Sequence, residues 1–468
     1  MLFIEIRYFL FFAAFFAVYW LLRSNTQRKW LMIVASYGFY AMWDWRWLGL
    51  LFLSTVVSHV VARGIFLART DLERRWWLVP SLVFHVGMLG VFKYFDFFSH
   101  SLTDFLALMG VTADPIILNL MLPIGISFYT LHNVSYIADV YMRRIEARES
   151  FLDIATFVAF FPQLVAGPIL RARQFVPQLD SLRKFADVPV RAALLLFLVG
   201  FVKKSVLADN IDPHVDAVFA DPGAYTSWTV AGTSFLWSMQ ILLDFSGYSD
   251  MGTASAALLG YRFPQNFFAP HLAVSPADYR QRWHISLTTW LRDYLFVPLG
   301  GTKGGRWKTH RNIFIVNLVS GIWHGAAWTF VLWGVFNAIV ISAQREIDQS
   351  GLKTKIPRAL RIVFGFAVTL YTTAWVAYAF RASDIGTVGH MLAMSHGLAP
   401  GGTLTLPFDP LGAFFAIVAC QFVAIRTNLV HRVEKMNWWL FAVLIGIAFA
   451  LAFALRSPFA QPFYYFRF

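Results

Sequence analysis

The sequence predicts an all-α, polytopic integral membrane protein with about 11 to 13 membrane segments, some of them re-entrant or interfacial. Three observations carry that prediction. Of the 468 residues, 58% are hydrophobic and only 14% are charged. The apolar residues gather into runs close to the ~20 residues that cross roughly 30 Å of hydrocarbon at about 1.5 Å per residue. The 18 Trp and 17 Tyr suit the aromatic belts where a bilayer meets water. A soluble protein with one large core does not fit this composition. The net charge of +13 is spread over short loops between apolar runs. There it sets topology and meets anionic headgroups, so membrane lipids, and not nucleic acid, are the expected partners. Cys420 is the only cysteine, which excludes an intrachain disulfide and a zinc-thiolate site; no metal is expected.

In chain order the apolar segments are 8–22, 30–43, 47–62, 76–98, 115–140, 151–170, 189–208, 228–260, 312–343, 359–380, 408–425 and 438–455. The first ends in Leu21-Leu22-Arg23 with no small-residue cleavage site, so it reads as a retained anchor and not a signal peptide. Segment 30–43 is short for a perpendicular span. Pro162 and Gly167-Pro168 interrupt 151–170, which reads as a broken or re-entrant helix. No soluble domain, low-complexity linker or clear repeat intervenes, so a single membrane domain over 1–468 is expected.

Loop charges set the expected orientation. Arg23, Arg28 and Lys29 place the first loop in the cytoplasm and the N-terminus outside; Arg63, Arg69, Arg74 and Arg75 mark the next inside loop. Loop 99–114 has no Lys or Arg, and loop 209–227 carries Asp209, Asp212, Asp216 and Asp221 without one; both fit outside. Regions 262–311 and 345–361 are basic, so if both are cytoplasmic the segment between them must enter and turn back, a conventional crossing being the alternative. The C-terminus then falls outside. Lys203-Lys204 is expected to snorkel or to meet lipid phosphate.

From Tyr279 to Gly301 the pattern changes. Trp283, Leu287, Trp290, Leu291 and Tyr294 share one helical face and His284, Thr288 and Arg292 another, predicting an amphipathic interfacial helix that Pro298 and Gly300-Gly301 end. Next comes the densest stretch, Ser320-Gly321-Ile322-Trp323-His324-Gly325-Ala326-Ala327-Trp328, with no charged residue between Arg311 and Arg345. An unpaired polar group in hydrocarbon costs several kcal/mol, so a histidine at that depth faces a cavity, a partner or a pathway. The alternative is a packing histidine bonded to neighbouring carbonyls. Gly321 and Gly325 let another backbone or a substrate approach and make a helix break cheap. His59, His85 and His132 lack such a setting and read as packing residues.

Arg282-Trp283-His284-Ile285-Ser286-Leu287-Thr288-Thr289-Trp290-Leu291-Arg292-Asp293-Tyr294, followed by Pro298-Leu299-Gly300-Gly301, resembles a hallmark of the membrane-bound O-acyltransferases. The likeness is closest to the bacterial branch that acetylates exopolysaccharides such as alginate. Leu122-Pro123-Ile124-Gly125-Ile126-Ser127-Phe128-Tyr129, Phe161 to Ile169, and Asp244-Phe245-Ser246-Gly247-Tyr248-Ser249-Asp250-Met251-Gly252 are similar to further motifs of that branch, and His324 matches its intramembrane histidine. The motifs run in family order over about residues 120–343.

The resemblance implies helices around a central tunnel and acetyl transfer from a cytoplasmic thioester, acetyl-CoA, towards a periplasmic acceptor across a bacterial inner membrane. His324 is expected to be the general base, since imidazole titrates near neutrality while the acceptor hydroxyl does not. His284 is expected to orient substrate or polarise the thioester carbonyl. Trp323, Asp244, Asp250 and Arg292 are candidates for the tunnel wall. For the aspartates, helix-end bonding beside Gly247 and Gly252 is the alternative; for Arg280, Arg282 and Arg292, interfacial anchoring competes with contacts to coenzyme A phosphates. Implied partners are a periplasmic acetyltransferase of the serine-hydrolase (SGNH) type and the machinery that makes and exports the polymer. Other readings are D-alanyl or other acyl transfer by a different branch, or a transporter, which would predict an inverted symmetry the sequence lacks. Finally, Pro462-Phe463-Tyr464-Tyr465-Phe466-Arg467-Phe468 holds five aromatics in seven residues and reads as an interfacial anchor. It also resembles the terminal motif of a small partner in the D-alanylation branch, which would make Tyr465 an acyl relay.

Overall fold

The computed structural model spans residues 1–468 and describes all of them except 165–166, 459–460 and 467–468, with the side chains of 353, 354 and 466 also left aside. Two residues of the Phe161–Ile169 motif and two of the C-terminal one therefore lie outside the described residues. Among the described residues no strand forms; one isolated bridge joins Tyr225 to Leu404. Among the described residues, six helical stretches are long and apolar enough to cross a membrane: Asn25–Leu67, Asp71–Leu108, Trp328–Gln349, Arg358–Arg381, Pro410–Thr427 and Trp438–Leu455. The first holds two 20-residue helices, Asn25–Asp44 and Leu48–Leu67, joined by the turn Trp45–Trp47. The protein is an all-α, multi-pass membrane protein.

Several apolar runs are broken, which is why uninterrupted crossings are fewer than the run count suggested. Residues 110–124 stay non-helical: the backbone N–H groups of Leu118 and Asn119 donate to the Asp96 carboxylate at 2.8 and 3.1 Å, and helix begins only at Ile126. Run 151–170 divides at Phe160 into Phe151–Ala159 and Phe161–Leu164. Two expected loops are helical instead. Phe95–Leu108 continues the preceding helix through a π-turn, and Asp209–Ala220 is a helix whose first acid, Asp209, is a buried counter-charge to Lys204. The amphipathic helix expected over 279–301 is three pieces: Pro276–Arg282, Ile285–Leu291 and the π-turn Arg292–Phe296.

The single stretch expected over 1–468 gathers into two compact units, residues 1–193 with 251–264, and 194–250 with 265–468. In the first, buried tyrosines tie the N-terminal helix inwards: Tyr8 Oη lies 2.6 Å from Ser255 Oγ, and Tyr19 donates to the Leu259 carbonyl at 3.2 Å. Its glycines allow backbone contact. A Cβ on Gly252 would meet the Pro162 carbonyl at 2.3 Å, and one on Gly125 the Leu164 carbonyl at 2.7 Å, so three of the sequence motifs pack on one another here. His85 is fully buried between Ser58 Oγ (3.1 Å) and the Ser81 carbonyl (2.8 Å) and is a satisfied packing group; His132 Nε2 accepts from Leu170 N–H at 3.3 Å, while its Nδ1 has no hydrogen-bond partner among the described residues.

The second unit is built on a helical hairpin. Arg306–His324 and Trp328–Gln349 run back to back, joined by an extended turn at 325–327. A Cβ on Gly321 would strike the Phe330 carbonyl at 2.3 Å, one on Gly334 the Asn317 carbonyl at 2.7 Å, and one on Gly325 the Phe330 ring. At the open end Glu346 takes both Arg306 (2.7 Å) and His310 (2.6 Å), so the two flanks of the hairpin meet.

Candidate functional site

His324 is the last residue of its helix and is 3% exposed. Its ring sits in an aromatic cage with centroids 4.9 Å from Trp333, 5.0 Å from Trp323, 5.2 Å from Phe380 and 5.5 Å from Tyr465. The glycines close the hairpin tightly enough to place this residue at the tip.

His284 falls at the break between two short helices and adopts φ 42°, ψ 56°, a left-handed conformation that costs a non-glycine residue about 1–3 kcal/mol. A clamp around Asn266 holds it there. Ile285 N–H donates to the Asn266 carbonyl at 2.8 Å, Ser286 Oγ to Asn266 Oδ1 at 2.8 Å, and Phe268 N–H to the Arg282 carbonyl at 2.9 Å. The imidazole is 1% exposed and lies 4.6 Å from the Phe245 ring and 6.0 Å from Trp323, centroid to centroid. Both ring nitrogens lack a hydrogen-bond partner among the described residues. Burial pushes the group down to about 3, so it is neutral at pH 7, with one nitrogen to accept a proton and one to donate.

Both histidines line one cavity of the second unit, about 980 Å³ including the open space at its mouth. Its wall is mostly aromatic and aliphatic, with a few polar groups among which Ser238, Arg280, Thr288 and Asn337 stand out. Trp323 bridges the two imidazoles. Asp244 accepts from Tyr464 N–H at 3.1 Å and pairs with Lys204 at 2.5 Å, while Lys204 also holds Asp209 at 2.7 Å. Asp244 thus docks the tail. Lys204 is 1% exposed and neither snorkels nor meets lipid, because two carboxylates compensate it.

Asp250 and Arg292 do not join the cavity. Asp250 pairs with Lys203 at 2.7 Å, and Arg292 is exposed and pairs with Asp293 at 2.7 Å, because the π-turn rotates it outward. The tail is not laid out as a surface anchor. Phe463 is fully buried against Tyr248 (5.0 Å), Tyr464 packs on Trp237 (4.5 Å), and Tyr465 reaches His324. Burial raises the Tyr465 phenol well above its usual value, the opposite of easy ionisation. Sequence reasoning passed over Asn266, whose clamp joins residues about 20 apart, and Ser238, whose hydroxyl is 3.2 Å from His271 Nε2. No spacing signal marks either.

A buried imidazole pair lines an apolar cavity that a glycine hairpin and a strained turn build. The chain belongs to the membrane-bound O-acyltransferase family, whose model matches residues 117–382, and is an O-acyltransferase. Within the family it falls in the branch of the alginate O-acetylases. It is 39% identical over 394 residues to a probable alginate O-acetylase, AlgI, of Azotobacter vinelandii, covering 82% of this chain and 76% of that one. Identity to the corresponding Pseudomonas aeruginosa protein is 37%, covering 82% and 72%. A peptidoglycan O-acetyltransferase of Helicobacter pylori is 33% identical, covering 79% and 74%.

Proposed function

We propose that this protein passes acetyl groups from acetyl-CoA on the cytoplasmic side of a bacterial inner membrane towards the hydroxyls of an exported polysaccharide, alginate or a polymer like it. The observation that carries the reading is the placement of His284 and His324 on one apolar cavity, with the Tyr465 ring 5.5 Å from that of His324, in a chain of this family. His324 takes the proton from the attacking hydroxyl as the C–O bond forms. His284 donates to the thioester carbonyl oxygen as it gains charge, a role that suits a neutral imidazole. The C–S bond then breaks and the thiolate leaves with the proton that His324 holds. The apolar wall keeps water from the thioester.

Tyr465 is the first acceptor in this reading, supported by its ring 5.5 Å from that of His324. Its raised phenol makes the base essential, and acetyl-tyrosine, as an aryl ester, is activated for a second transfer. A periplasmic serine-hydrolase-type partner completes that transfer to polymer alongside the polysaccharide machinery. The test is His324→Ala. A general base contributes roughly 10² to 10⁴ in rate, so polymer from cells carrying the variant at normal membrane abundance should contain essentially no acetate. Near-normal acetate would end the assignment.

A further inference from the structure

Arg280 puts a charge on the cavity wall that no carboxylate among the described residues pairs with. Arg280 lies on the helix Pro276–Arg282, on the same wall as Tyr279, Trp283 and His284. Its described partner is the neutral amide of Asn317, 2.6 Å from Nη1. Three arginines nearby in the chain are answered by carboxylates: Arg282 by Asp278 (2.7 Å), Arg292 by Asp293 (2.7 Å), and Arg306 by Glu346 (2.7 Å). Burial lowers Arg280 to about 10 and leaves it charged at pH 7. A guanidinium kept beside an apolar cavity without a counter-ion is costly unless a ligand supplies the anion. His284, on the same wall, has two buried ring nitrogens without a hydrogen-bond partner among the described residues, so it can meet a polar group of a ligand.

We infer that Arg280 receives the phosphate of a phosphopantetheine thioester, so that the donor is recognised by an anion at one end while its acyl carbonyl meets His284. This rests on the acetyl-transfer reading above and deepens it. The planar fork of a guanidinium suits two phosphate oxygens at once, with Asn317 fixing its orientation through Nη1. The chemistry is shared by free coenzyme A and by a carrier protein's 4′-phosphopantetheine arm.

The experiment measures equilibrium binding of three thiols, coenzyme A, 4′-phosphopantetheine and pantetheine, to the full-length protein in nanodiscs. Both phosphorylated thiols should bind about 10- to 100-fold more tightly than pantetheine. Arg280→Met should erase that difference and leave pantetheine affinity unchanged, whereas Arg280→Lys should restore part of it. A clear preference for coenzyme A over 4′-phosphopantetheine assigns the free cofactor; equal affinity assigns the arm alone as sufficient. Three results overturn the inference: equal binding of all three thiols by the wild type, 4′-phosphopantetheine binding no better than pantetheine, or Arg280→Met weakening all three alike. His324→Ala should keep the affinity order while losing transfer. If the wild type transfers no acetyl from any thioester, the catalytic reading fails and the affinity order still decides the role of Arg280.

Discussion

At the scale of single residues, the histidines were legible and their supports were not. His324 stood out because a titratable group deep in an uncharged run needs a reason. His284 stood out through its motif, yet the helical spacing around it predicted a continuous helix. The structure breaks that helix at His284, and only the Asn266 clamp, formed between residues distant in sequence, explains why the break holds. Arg292 misled for the same cause: a residue's face cannot be read through a π-turn. Tyr465 gives the sharpest residue-scale prediction. Tyr465→Phe keeps the ring packed against His324, Phe245 and Phe463 and removes only the hydroxyl. Acetylation of polymer should fall by at least about 10²-fold if the phenol carries acetyl. Tyr464→Phe should be tolerated, because Tyr464 is held through its backbone N–H by Asp244. Full acetylation by Tyr465→Phe would reduce the tail to a packing element.

At the scale of elements, the hairpin depends on small residues facing backbone. Gly321→Ala places a methyl 2.3 Å from the Phe330 carbonyl, which cannot swing aside as a side chain can. Overpacking of this kind costs about 1–3 kcal/mol, and thermal unfolding of the purified protein should show a fall of several degrees. Gly446→Ala, in the Trp438–Leu455 helix with open space around the new methyl, should be neutral or slightly stabilising. Equal behaviour of the two would show that the glycine contact is not limiting. Apolar runs located most elements well, the final one at the same bounds as the helix, 438–455. They failed at Asp209–Ala220, where the absence of Lys and Arg suggested an outer loop. The pairings of Asp209 with Lys204 and of Asp216 with Arg381 link residues too far apart, or too short-ranged in pattern, for charge counting to notice.

At the scale of the molecule, sidedness is the open quantity. Cysteines placed at the exposed positions Arg69 and Asp221, in a Cys420→Ser background, should react with an impermeant maleimide from opposite faces of the membrane. Reaction from one face would discard the charge-derived orientation. The open end of the hairpin, where its two flanks meet, bears on the same question through parity. Because Arg306 and His310 both bind Glu346, the chain leaves residues 306–346 at the level where it entered them. However deep its tip reaches, the hairpin adds an even number of passages and is silent in the alternation of inside and outside. The helices Arg358–Arg381, Pro410–Thr427 and Trp438–Leu455 then inherit their direction from segments upstream of it. Reporters at Lys303 and Leu352 should read the same compartment even in a protein whose absolute orientation proves to be inverted.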